Sequence, residues 1–221
     1  MTNPGSTSKT TIKRLREKAS HQVSDLYSIL DENLVAHVGL IHDGSPLVIP
    51  MAYGRVGNRI YLHGSTGSRL MRTLATEPEV CISITELNAL KVARSTFDSG
   101  MNYRSVVIFG KANLVQPGEK AEALDAISDS LIPGRVQELR PSSEKELAAT
   151  LICWVELDQT SVKISANEVD SDQDELGQGV WAGIVPLQEV ALEAIPADLE
   201  AEGLPVPESV KRFIAARQIA R

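Results

Sequence analysis

The sequence predicts a mainly β architecture, a small antiparallel barrel of Greek-key type with peripheral helices. Three observations carry that prediction. Apolar residues alternate with a period of two through several short runs. Those runs are separated by turn signals such as Asp43-Gly44 and Gly57-Asn58, not by helical crossovers. Segments with helical periodicity gather at the chain ends and in two crossings, where they can cover a barrel but not interleave with its strands.

Taken in order, residues 1–10 are rich in Ser, Thr, Gly and Asn and read as disordered. Lys9 to Lys18 holds five basic residues, read as a solvated arm in preference to a docking arm for an anionic partner. Ser24 to Asn33 predicts a short helix with Leu26, Ile29 and Leu30 on one face. Leu34, Ala36, Val38 and Leu40 then share one side of a strand, with Val35, His37, Gly39 and Ile41 on the other. Asp43-Gly44 turns into a return strand, Leu47 to Tyr53, and Gly57-Asn58 into a third, Ile60 to His63. A Gly/Ser/Thr loop leads to a helix over Ser68 to Thr76, stopped by Pro78. Val80 to Thr85 resumes the alternation, and Tyr103 to Val115 follows the break at Asp98-Ser99-Gly100.

Further along, a helix is expected over Glu119 to Leu131, and Ser143-x-x-Glu146 is a capping-box signal for another. Leu151 to Leu157 and Val162 to Ser165 read as late strands, Glu168 to Glu175 as an acidic loop, and Trp181 to Leu187 as the last apolar run. A C-terminal helix is expected from Glu208 to Ala220, with Lys211, Arg212, Arg217 and Arg221 solvated. The expected division is a flexible arm, 1–20, and a single domain, 21–221.

Composition narrows the function. The chain has 221 residues, with 22 Lys+Arg against 29 Asp+Glu and a net charge of −7. That balance argues against a nucleic-acid partner. No apolar run is long enough to span a membrane, and the first residues lack a secretory core, so a cytoplasmic protein is expected. Two cysteines, Cys81 and Cys153, form no disulfide framework. Cys81 reads as a buried small hydrophobe. No metal site is expected: His37 and His42 differ by an odd number and point to opposite faces of a strand.

The richest stretch is Ile60 to Leu74. A strand ends at His63, and Gly64 and Gly67 permit close approach of a ligand. Ser65, Thr66 and Ser68 supply hydroxyls, and Arg69 opens the following helix. A phosphate cradle and a well-capped Gly-rich turn both satisfy this pattern. Walker A, Gly-x-Gly-x-x-Gly and Gly-x-Ser-x-Gly elements are absent. Asn102-Tyr103-Arg104-Ser105 crowds hydrogen-bonding groups at a strand start, and Trp181 reads as core or as a stacking platform.

These residues in this order resemble a known family. Ile49-Pro50-Met51-Ala52-Tyr53, Ile60-Tyr61-Leu62-His63-Gly64, Ser68-Arg69 and Asn102 to Ala112, with Val180 to Gly183 and Pro205 to Glu208, resemble the pyridoxamine 5′-phosphate oxidase-related FMN-binding proteins, nearest their nitroimidazole-resistance-like branch. The resemblance implies an FMN-binding split β-barrel that forms a homodimer with the cofactor at the subunit interface. It implies that Val48, Ile49, Pro50, Met51, Ala52 and Tyr53 run beside the flavin, mainly through backbone. His63 and Gly64 would flank the flavin, Ser65, Ser68 and Arg69 hold its phosphate, Arg104 or Ser105 approach it, and Trp181 reach it from the late strand. His63 is then the expected catalytic residue, a proton donor in an oxidoreductase that passes electrons from a reduced nicotinamide to a small nitro-aromatic-like acceptor. The alternatives are an FMN-binding sensor or stress-response protein without turnover and, third, a haem-binding barrel with His63 or His37 as axial ligand. Leu70 stands where true pyridoxamine phosphate oxidases have a phosphate-binding Lys, and Tyr53 where they have a substrate Lys. Ile164 and Ser165 follow Lys163 where relatives often have Arg. These departures argue against vitamin B6 oxidation.

Overall fold

The computed structural model describes residues 2–170 and 176–218. The last five positions of the expected acidic loop, the end of the expected C-terminal helix at Ala220, and Arg221 lie outside the described residues. The elements in chain order are β1 (Ala19–Ser20), α1 (Val23–Glu32), β2 (Val35–His42), β3 (Ser45–Val56), β4 (Arg59–Ser65), α2 (Arg69–Leu74), β5 (Glu79–Val92), β6 (Gly100–Lys111) and β7 (Asn113–Leu114). They continue with α3 (Lys120–Leu131), α4 (Glu144–Ala149), β8 (Thr150–Glu156), β9 (Thr160–Ser165), β10 (Gly183–Pro186), α5 (Leu199–Glu202) and α6 (Glu208–Ala216).

All ten strands among the described residues join one antiparallel sheet in the order β1-β9-β6-β5-β2-β3-β4-β8-β7, with β10 beside β5. The sheet curls without closing. The ends of β6 and β8 are far apart along that order, yet a Cβ at Gly110 would stand 2.8 Å from Val155 Cγ1. β6 then hands over through Ala112 to β7, which pairs with β8. This is the split form of the antiparallel barrel.

The turns follow from sequence. Asp43 (φ 49°) and Gly44 (φ 75°) both take the left-handed conformation that a two-residue hairpin needs, and His42 pairs with Ser45. Strand alternation fills the barrel with Ala36, Val38, Ile60, Leu62, Ile82, Ile84, Val106, Ile108 and Val162, all at 0% exposure. α1 adds Leu26 and Ile29 to the same core. α3 covers a smaller cluster of Ile127, Ala123, Val115 and Ile152. It lies so close to β3 that a Cβ at Gly54 would stand 2.8 Å from Ile127 Cα. The expected capping box is formed: Ser143 Oγ accepts from Glu146 N–H, and the Glu146 carboxylate accepts from Ser143 N–H at 2.8 Å.

Three expectations change. Cys81 is exposed, because Val80 and Ile82 take the inward positions of β5 and Cys81 falls between them. The Ser/Thr/Gly-rich N-terminus lies against the barrel: Gly5 N–H donates to the Thr160 carbonyl at 2.7 Å, and Thr10 is buried. β9, covered on its outer side only by the two-residue β1, offers that carbonyl, which composition alone does not reveal. Arg217 is not simply solvated, since it donates to the Glu32 carbonyl at 2.8 Å at the end of α1. No described helix is long and apolar enough to cross a membrane.

Candidate functional site

The Gly64–Arg69 loop is a tightly wired turn. Thr66 N–H donates to the Ala149 carbonyl and Ser68 N–H to the Ser65 carbonyl, both at 2.9 Å. Ser65 Oγ accepts from Gly67 N–H at 3.1 Å, and Ser68 Oγ caps α2 by accepting from Met71 N–H at 3.3 Å. Gly64 is required by packing, because a Cβ there would stand 2.9 Å from Met71 Cγ. Gly67 is under no such pressure; its nearest neighbour would be Ser65 Oγ at 3.5 Å. The Ser68 hydroxyl is therefore committed to the helix cap. The Ser65 and Thr66 side chains and the Arg69 guanidinium stand exposed around the turn. Arg69 forms no ion pair with the described residues.

His63 sits on β4 opposite Ile152 of β8. Its Nδ1 is buried and has no hydrogen-bond partner. Burial pushes the imidazole below its ordinary value of 6.5, because the charged form loses water without gaining a counter-ion. At neutral pH the ring is neutral. It can give or take a hydrogen bond but is a weak acid reservoir.

The Val48–Tyr53 stretch divides by parity. Val48, Pro50 and Ala52 point outward, and Ile49, Met51 and Tyr53 point to the core. Tyr53 is fully committed there, its hydroxyl donating to the Leu30 carbonyl at 2.6 Å, and burial raises its pKa. Only its backbone remains for a ligand. Arg104 also faces inward, in step with Val106 and Ile108. Its guanidinium donates through Nε to Glu86 at 2.8 Å and pairs with both Glu86 and Glu32. Two carboxylates thus occupy it at the α1 end of the barrel. Ser105 faces the other way, opposite Thr85 and Lys163.

Trp181 precedes β10 and is 65% exposed. A Cβ at Gly183 would stand 2.7 Å from its ring, so the indole lies over the glycine. In one chain Trp181 and His63 are not neighbours in the sheet: β10 flanks the far half of β5, while β4 lies beyond β2 and β3.

The outer face of β2, β3 and β5 carries a feature that sequence reading left unassigned. Val35, Ile41, Val48 and Leu87 are exposed there, with His37 opposite Pro50 and Ser83. The alternation itself was the signal, because residues on both sides of β2 are apolar. Among the described residues no group of three or more His, Cys, Asp and Glu side chains is arranged for a metal ion.

The family model described as pyridoxamine 5′-phosphate oxidase matches residues 22–164. The chain is similar to the structure of an FAD and haem binding protein from Mycobacterium smegmatis, with 39% identity over 89% of this chain and 97% of that one, and a TM-score of 0.86. It is also similar to the flavocytochrome Anf3 from Azotobacter vinelandii, with 32% identity over 93% and 96% and a TM-score of 0.86. A 5-nitroimidazole antibiotic resistance candidate from Bacteroides thetaiotaomicron shares the fold, at 22% identity over 66% and 86% and a TM-score of 0.56. No curated protein matches the chain.

Proposed function

The chain belongs to the pyridoxamine 5′-phosphate oxidase family, and from that premise we propose that it binds a flavin nucleotide between two copies of itself and serves as an oxidoreductase. Its acceptor is a small molecule and its donor a reduced nicotinamide. The observation that carries the reading is the 39% identity, over nearly the whole chain, to a protein described as binding FAD and haem.

The residues present suit such a ligand. The open Arg69 fork and the Ser65 and Thr66 hydroxyls match phosphate oxygens. The buried, unpartnered Nδ1 of His63 seeks a hydrogen-bonding group. The exposed apolar face of Val35, Ile41, Val48 and Leu87 suits a second copy, whose Trp181 would approach the His63 loop. Bound flavin would supply the electron-transfer chemistry. The chain would hold the phosphate, exclude water with the paired faces, and offer neutral His63 as a hydrogen-bonding group near pH 7. FMN is the form that the resemblance implies; FAD is the form named for the M. smegmatis protein.

A second cofactor has an observation in its favour: one neighbour above 30% identity is described as haem-binding and the other as a flavocytochrome. Of the four histidines, His21 Nδ1 meets the Pro4 carbonyl at 2.8 Å, and His42 is held between Thr73 and Asp43. His37 and His63 remain as axial-ligand candidates.

An absorbance spectrum taken across a size-exclusion peak with light scattering tests both readings. Flavin bands at dimer mass are expected. Colourless protein that takes up no flavin on soaking overturns the assignment, and monomeric mass removes the shared site. Retained flavin without nicotinamide oxidation for any acceptor makes the protein a flavin carrier or sensor. A Soret band lost in His37→Ala or His63→Ala identifies the haem ligand.

A further inference from the structure

The N-terminal arm and the outer face of β6 and β9 form a half-open cavity of about 250 Å³. Lys13, Arg14, Lys163, Ser105 and Ser161 line it with two aliphatic side chains. The floor is set by strand register, which places Ser105 opposite Lys163 and Val107 opposite Ser161. The roof is held by the arm: Gly5 is bonded to Thr160, and Lys9 stacks over the Phe109 ring at 4.9 Å and pairs with Glu79. Leu15, directly after Arg14, sits at φ 55°, a conformation a leucine keeps only where its surroundings impose it.

The charges here are one-sided. The chain carries more acids than bases, 29 against 22, yet no carboxylate lines this cavity. Lys9 has Glu79 as a partner, whereas Lys13, Arg14 and Lys163 form no ion pair with the described residues. Three like charges around one void repel one another, and an oxyanion between them reverses that term. Two hydroxyls add neutral donors. We propose that this cavity is a diphosphate site, distinct from the Arg69 turn, that takes the diphosphate bridge of a dinucleotide. The bridge is that of a nicotinamide dinucleotide, because the single diphosphate of a flavin dinucleotide would include the phosphate assigned to the Arg69 turn; the proposal thus goes beyond the flavin reading.

The test is calorimetric titration of the full-length chain with inorganic diphosphate at low ionic strength. Titrated in an Arg69→Gln background, which removes the guanidinium assigned to the flavin phosphate, the chain is expected to show one site, and affinity should fall about tenfold for each charge removed in the series Lys13→Gln, Arg14→Gln and Lys163→Gln. The Lys13→Gln/Arg14→Gln pair lies in the exposed arm, so it tests the site even if the Lys163 variant unfolds. Variants that bind as that background does, or an Arg69→Gln background that takes up no diphosphate, overturn the proposal. Displacement of diphosphate by NADP⁺ but not by FMN supports the assignment, and displacement by FAD but not by NADP⁺ overturns it. Displacement by no dinucleotide overturns the dinucleotide assignment. Inorganic diphosphate needs no flavin, so failure here and failure of the flavin reading are separate results.

Discussion

The two faces of one sheet differ in how far a single chain completes them. On the inner face, Ile82, Ile84, Val106 and Ile108 are wholly shielded, and α1 closes the barrel end over them. On the outer face of the same sheet, Ile41 of β2 and Val48 of β3 remain 62% and 63% exposed. The alternation that seals one side leaves the other apolar and open. Stability is therefore written on one set of alternate residues of the sheet, and the proposed assembly on the other.

Mutations on the two faces should separate these roles. The largest effect is expected inside: Ile82→Ala or Ile108→Ala should cost about 2–5 kcal/mol of unfolding free energy in denaturant titrations. A loss below about 1 kcal/mol would show that the inner face is looser than its burial implies. Next comes Tyr53→Phe, which removes the donor to the Leu30 carbonyl and should cost about 1 kcal/mol. Val48→Asp should change unfolding of the separated chain by no more than about 0.5 kcal/mol while abolishing dimers in light scattering. A large loss of chain stability would mean that the two faces are not independent.

Cysteine chemistry sharpens the same contrast. Burial raises the thiol of Cys153 to about 12, while Cys81 lies exposed on the outer face, its pKa also raised by partial burial. A thiol reagent should titrate one group per native chain, and assembly should slow that reaction. Labelling of both cysteines at equal rates would contradict the placement. The smallest effect is in pH. His63 has a folded pKa below its ordinary 6.5, so as pH falls past that value the unfolded chain takes up a proton that the folded chain resists. Stability should fall with pH in that window, and His63→Gln should flatten the slope.

Much of this was legible from residue order. Period-two runs and the Asp43-Gly44 and Gly57-Asn58 turns predicted the meander, and Ser143-x-x-Glu146 marked the start of α4. The Cys81 error was one of parity. Cys81 stands between Val80 and Ile82, and Arg104 is in step with Val106, so counting along each strand already places one outside and the other inside. Tyr53 looked available because its partner, the Leu30 carbonyl, is remote in sequence. The arm was opaque for a different reason. Thr7, Thr10 and Thr11 bond one another and the Gly5 carbonyl, but the bond that ties the arm to the sheet, Gly5 N–H to Thr160, needs β9, which the chain makes some 150 residues later.

The one-residue slip in β5 between Leu87 and Ala89 has a consequence of its own. It resets the counting, so that Leu87 is exposed, Ala89 is buried and Leu90 is exposed again. The near half of β5 keeps step with β2 and the distal half with β10. β6 runs past this point unbroken, with Tyr103 opposite Leu87 and Asn102 opposite Ala89. Asn88 is thus a spare link: deleting it would join exposed Leu87 to buried Ala89 with their facings unchanged, and the distal half should keep its partners on β10.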